Sequence, residues 1–206
     1  MKQKHFIDTH KGVTGPFILL LIYYFNQWEN INAWVYLALH GSYGIMWVLK
    51  SLIFPDKTWE SKCSIFHGLY IWAGLTLYWV SPWLITSGSV SSTPIFIGCS
   101  ISLFSIGVFF HFASDMQKHA HLKLNPGSLI QDGLMSKCRN MNYFGELLIY
   151  VSFAMLSHHW IPFAILALFI VIIWLPNMYR KDRSLSRHEG YEEYRKRTSL
   201  LIPFIW

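Results

Sequence analysis

The chain has 206 residues, of which 53% are hydrophobic, 17% aromatic and only 14% charged. That balance argues against a soluble fold with a large core and for one domain embedded in a bilayer. The net charge of +6 would suit nucleic acid, but the cations flank long apolar runs, which ties them to membrane topology and anionic headgroups instead.

In chain order, the polar start MKQKHFIDTHK does not have the form of a secretory signal peptide. Two uncharged runs follow, residues 12–28 and 30–49. Residues 63–114 and 147–179 are also free of Asp, Glu, Lys and Arg. A membrane helix needs about 20 apolar residues, so each long run has room for two short or tilted helices. Turn-forming residues divide them at 86–94 and at 158–162. The expectation is an all-α integral membrane protein with about six transmembrane helices.

The cations fix an orientation. Lys2, Lys4 and Lys11 precede span one, and Lys50, Lys57 and Lys62 fall between spans two and three. Lys118, Lys123, Lys137 and Arg139 lie between spans four and five, and the remaining seven Lys and Arg follow span six. The three opposite loops have none. The positive-inside bias therefore puts both termini and the polar chemistry in the cytosol, at a bacterial inner membrane or an endoplasmic reticulum. Cys63, Cys99 and Cys138 show no metal spacing and read as reduced structural thiols.

Candidate chemistry concentrates in two polar stretches, 114–140 and 180–206. If span four continues as a helix, His111, Asp115 and Lys118 share one face. An acid at the mouth of a membrane helix is costly unless paired or bound to something. Asn142 and Glu146 stand one turn apart at the start of span five, and Gly145 leaves room for a neighbouring backbone or a flat ring. A helix start favours an anion, which Arg139 would reinforce. The tail carries Arg180, Asp182, Tyr191 and Tyr194 and ends on an apolar segment suited to docking. An Asp115–Lys118 surface pair, a capped helix start and a headgroup-binding tail are the structural alternatives. The ten His form no HExxH and no set of closely spaced boxes, so no metal is expected. No GxGxxG is present, so a nucleotide site here would not be a Rossmann one.

These residues carry a resemblance. Asp132-Gly133-Leu134, then Arg139-Asn140-Met141-Asn142-Tyr143-Phe144-Gly145-Glu146, is similar to the signature of the steroid 5-alpha-reductase family. Ser114-Asp115-Met116-Gln117-Lys118 and the ending Leu201-Ile202-Pro203-Phe204-Ile205-Trp206 resemble further segments of it. The likeness covers about residues 105–206. It implies a C-terminal half, 114–206, that holds NADPH and reduces a carbon–carbon double bond in a lipid-like enone, with residues 1–113 on the substrate side. The resemblance would make Asp115, Asn142 and Glu146 cofactor ligands, with His111 and Tyr143 beside them. It would make Lys118, Lys123, Arg139 and Arg180 phosphate partners, near Asp182, and Tyr194 a ribose or ring contact. Met141 stands where that signature has Pro, and His111 where the steroid reductases have Asn. The N-terminal half offers no acid in spans two to four, which leaves Tyr43, paired with His40, as the candidate proton donor alongside Glu146 as a catalytic residue.

Arg139, Tyr143, Gly145 and the Glu192-Glu193-Tyr194 tail also resemble isoprenylcysteine and phospholipid methyltransferases, which would imply S-adenosylmethionine as cofactor. A non-enzymatic lipid- or nucleotide-binding membrane protein is the third expectation. In each case the partners are membrane lipids and a hydrophobic small molecule, without nucleic acid.

Overall fold

The computed structural model describes residues 1–205. Nine α-helices are present among them: α1 Gln3–Tyr24, α2 Ile31–Ile53, α3 Ile65–Thr76, α4 Val80–Ser87, α5 Pro94–Leu124, α6 Met141–Leu156, α7 Trp160–Phe169, α8 Leu175–Leu185 and α9 Tyr191–Arg197. No strand occurs among the described residues; isolated bridges join Lys2 to Lys62 and Cys138 to Ser199. The helices α5 and α7–α8, the latter running from Trp160 to Leu185, are long and apolar enough to cross a membrane. Met141–Leu156 is apolar but shorter. The helix-free stretches 88–93 and 157–159 fall at the two turn regions that divide the long uncharged runs.

The chain divides into two compact units, residues 1–104 with 151–165 and residues 105–150 with 166–206. In the first, small residues let α1 and α2 meet closely. A Cβ on Gly44 would stand 2.3 Å from the Lys11 carbonyl oxygen. Asn30 caps α2 by accepting from the Ala33 N–H at 3.3 Å. Asn32 donates to the carbonyls of Val90 at 3.2 Å and Leu156 at 2.8 Å, which satisfies chain ends at that rim. At the other rim the N-terminus is tied to the 58–63 loop by backbone bonds and by Lys2 and Lys4 on Glu60. The third helical segment is broken: α3 ends at Thr76, a 3₁₀ turn spans Leu77–Trp79, and α4 follows.

In the second unit α5 and α6 approach as bare backbones. A Cβ on Gly145 would lie 2.3 Å from the His111 amide nitrogen, and one on Gly107 2.7 Å from the Gly145 carbonyl oxygen. The room that Gly145 leaves is therefore filled by a neighbouring backbone and not by a flat ring. A π-helical turn, Ile170–Trp174, joins α7 to α8 and buries Trp174 beside Tyr143 and Tyr150.

Candidate functional site

α5 does continue as a helix to Leu124, so His111, Asp115 and Lys118 share its face. His111 and Asp115 are buried, Lys118 is half-buried and Lys123 is exposed on the last turn. His111 Nδ1 donates to the Asn142 carbonyl at 3.1 Å; because a carbonyl only accepts, the proton on that ring must sit on Nδ1. The amide oxygen of Asn142 is buried with no hydrogen-bond partner among the described residues. Glu146 is half-buried one turn further on. Tyr143 accepts at 3.4 Å from Asn177, which in turn accepts from the Arg180 guanidinium.

Lys181 is a residue that sequence reasoning missed. Its ammonium donates to the Arg139 carbonyl at 2.6 Å and to Asn140 Oδ1 at 3.1 Å, within the electrostatic reach of Asp115, Asp182 and Lys118. In the sequence it is one cation of a run, and nothing local separates it from Arg180 or Arg183.

Two of the expected cofactor contacts are engaged by partners within the protein. Arg139 is buried with its donors engaged. Its Nε and Nη2 hold the Asp182 carboxylate at 3.0 Å each, and its Nη1 donates to the Thr198 carbonyl at 2.6 Å and hydroxyl at 3.1 Å. A phosphate could reach it only by displacing Asp182. Tyr194 is buried and donates its hydroxyl to the Met135 carbonyl at 2.9 Å, which leaves no face for a ribose. Burial pushes its phenol pKa upward, and burial followed by the Asp182 charge does the same to Tyr191. His40, expected beside Tyr43, shares a 3.0 Å hydrogen bond from Nδ1 with Tyr36 Oη, one turn back along α2. Tyr43 is fully buried, with the Lys11 ammonium 4.5 Å from its ring centroid.

The segment 138–140 clamps the tail. Cys138 Sγ donates to the Leu201 carbonyl at 3.2 Å, Asn140 Nδ2 to that of Leu200 at 2.9 Å, and the Arg139 N–H to that of Ser199 at 3.0 Å. Met141 fills the small core beneath, against Met135 and Cys138. Beside the clamp opens a cleft of about 740 Å³, within the range of small-molecule sites. Its lining includes exposed Lys137, Arg183, Arg195 and Lys196, opposed by Glu192 once the Arg139–Asp182 pair is set aside. Tyr179, Phe204 and Ile205 give it an apolar rim. Among the described residues no group of three or more His, Cys, Asp or Glu could hold a metal.

A family model described as "protein of unknown function (DUF1295)" matches residues 54–198, well over half of the chain. No curated protein matches it.

Proposed function

The chain belongs to the DUF1295 family, and we propose that it is a membrane-embedded reductase that takes NADPH on its second unit and reduces a double bond in a lipid-like enone. In this reading the six helical segments α1, α2, α3–α4, α5, α6 and α7–α8 each span the bilayer, with both termini in the cytosol. Fusions of a cytosol-dependent reporter to each terminus test the orientation; loss of signal at either one would overturn it.

Two separate observations on the same unit support the reading: a basic cleft and, outside its lining, a buried acceptor without a partner. The cleft has the size and sign for a polyanionic nucleotide. Lys137, Arg183, Arg195 and Lys196 are exposed there and could hold phosphates, the role that Arg139 cannot fill. The buried Asn142 amide oxygen is an acceptor lacking a donor, and an amide or hydroxyl of a ligand would supply one. When bound, NADPH would supply the hydride. The protein's own part is to anchor the phosphates through the basic residues and to hold the Asn142 backbone through His111.

The sign of the cleft also separates this reading from the methyltransferase one, since S-adenosylmethionine is a cation without phosphates. Calorimetry on the detergent-purified protein with NADPH, NADH and S-adenosylmethionine tests it. Selective NADPH binding is expected; selective S-adenosylmethionine binding would replace the reductase with a methyltransferase.

A further inference from the structure

The first unit holds a histidine that the proposed function does not use. His10, on α1, is 2% exposed, and neither of its ring nitrogens has a hydrogen-bond partner among the described residues. Its ring stacks on Trp79 at 4.7 Å between centroids and meets the edge of Trp72 at 5.1 Å. The nearby hydroxyl is committed elsewhere: Thr14 donates to the His10 carbonyl at 2.8 Å and accepts from Trp79 Nε1 at 3.0 Å. The Lys11 ammonium lies over Tyr43 and Trp47 of α2 and acts electrostatically on His10. A neutral imidazole carries one N–H donor and one bare acceptor. Burying both without partners is a cost that a ligand would relieve.

The ring is covered from α3 and from the turn that follows it. Trp72 lies on α3 and Trp79 on the 3₁₀ turn that breaks the third segment. Such a turn inside a longer helix often marks a hinge. Of α3 only Gly68 is buried, while Phe66, Leu69 and Tyr70 are exposed. A Cβ added at Gly74, between the two tryptophans in sequence, would meet nothing within 4 Å.

We propose that His10, flanked by Trp72 and Trp79, binds the oxygen-bearing end of a lipid-like molecule, a ketone or an alcohol, admitted from the bilayer past α3. A carbonyl oxygen takes the imidazole N–H, and a hydroxyl can serve either nitrogen. The apolar body of the ligand lies against Trp79, Trp72 and Phe17, whose ring stacks on Trp79 at 3.9 Å. The aromatic walls carry no charge, but the Lys11 ammonium acts electrostatically on His10, so the preference for a neutral head over a carboxylate or phosphate rests on the burial of the ring. The site belongs wholly to the first unit and requires no cofactor.

The test uses the full-length protein in nanodiscs and a long-chain ketone carrying a diazirine. Photolabelling followed by mass spectrometry is expected to mark peptides that contain His10, Trp72 or Trp79. Dodecan-2-one and 1-dodecanol should displace the label at roughly tenfold lower concentration than dodecane, the worth of one hydrogen bond. His10→Phe should remove that preference while leaving dodecane unchanged. Label confined to other helices, equal displacement by dodecane, or an undiminished ketone preference in His10→Phe would each overturn the proposal. If the variant does not fold, labelling and competition on the unaltered protein decide. NADPH enters neither readout, so a failure here is separate from a failure of the reductase reading.

Discussion

The Arg139 guanidinium grips the Asp182 carboxylate with Nε and Nη2, each at 3.0 Å, joining residues that are 43 apart in the chain. The two side chains are 7% and 15% exposed, and the third nitrogen of the guanidinium is spent on Thr198. This fork makes the start of α6, the end of α8 and the C-terminal tail one construction. Removing one partner of such a pair leaves the other charge buried, which typically costs 3–5 kcal/mol. Arg139→Met is therefore expected to destabilise the protein by about 3 kcal/mol. Arg139→Lys should recover little, because an ammonium cannot reproduce the two-pronged geometry. Melting in detergent measures both, and limited trypsin digestion at Arg195–Arg197 should accelerate as the tail loosens. An Arg139→Met protein that melts like the wild type would reduce the fork to a surface pair.

At Gly145 helix propensity and packing oppose one another. Alanine is favoured over glycine in a helix by about 1 kcal/mol. A Cβ there, however, would sit 2.3 Å from the His111 amide nitrogen, a backbone atom that no rotamer change can move. Overpacking of this kind costs about 1–3 kcal/mol or more, so Gly145→Ala should destabilise on balance. Gly98, also on α5, has nothing within 4 Å of its added Cβ, and Gly98→Ala should be neutral or slightly stabilising. Thermal shift of the two variants checks the pair; the same loss at both positions would contradict the close-approach argument.

What the sequence made legible was what is local. Uncharged runs too long for one span, interrupted by clusters of turn residues, located the helix ends around 86–94 and 158–162. α5 runs on past Asp115, the condition on which His111, Asp115 and Lys118 share one face. The roles of individual polar residues were much less readable. Gln117 and Asp132-Gly133-Leu134, separate pieces of one signature, touch: Gln117 donates to the Asp132 carbonyl at 3.0 Å and accepts from the Leu134 N–H at 3.0 Å. Gly133 has a positive φ of 53°, and a Cβ there would meet the hydrogen-bonded Gln117 amide at 2.7 Å, so this segment folds a loop. Arg139 and Tyr194 likewise turned out to fasten the tail. Partners 43 to 59 residues away leave no local periodicity to detect them by.

Cys138 offers a probe of the clamp that leaves its hydrogen bonds intact. Its thiol is fully buried, donates to the Leu201 carbonyl, and is pushed to a higher pKa chiefly by that burial. A raised pKa means less thiolate at any given pH, and thiolate is the reactive form. At pH 8 a small maleimide should modify half-buried Cys63 while Cys138 stays unmodified until the protein is denatured. Arg139→Met should expose Cys138 to labelling under native conditions. Prompt native labelling of Cys138 in the wild type, read by mass spectrometry, would show that the tail is not held as described.

Asn142 separates a residue kept for folding from one kept for binding. Its amide oxygen is buried without a donor, and in proteins such a group costs roughly 1–3 kcal/mol. Replacing it with leucine removes the unsatisfied atom at similar volume, so Asn142→Leu should hold or raise the melting stability by about 1 kcal/mol. If that oxygen is reserved for a ligand donor, the same substitution should weaken NADPH about tenfold, the value of one hydrogen bond. A structural asparagine would show the opposite pattern, with stability lost and affinity kept. Glu146→Gln, one turn along α6, belongs in the same titration: weaker NADPH binding with unchanged folding is expected, and unchanged affinity would remove Glu146 from the site. Because folding and binding move in opposite directions for Asn142 alone, one melting curve and one titration on the same preparation decide its role.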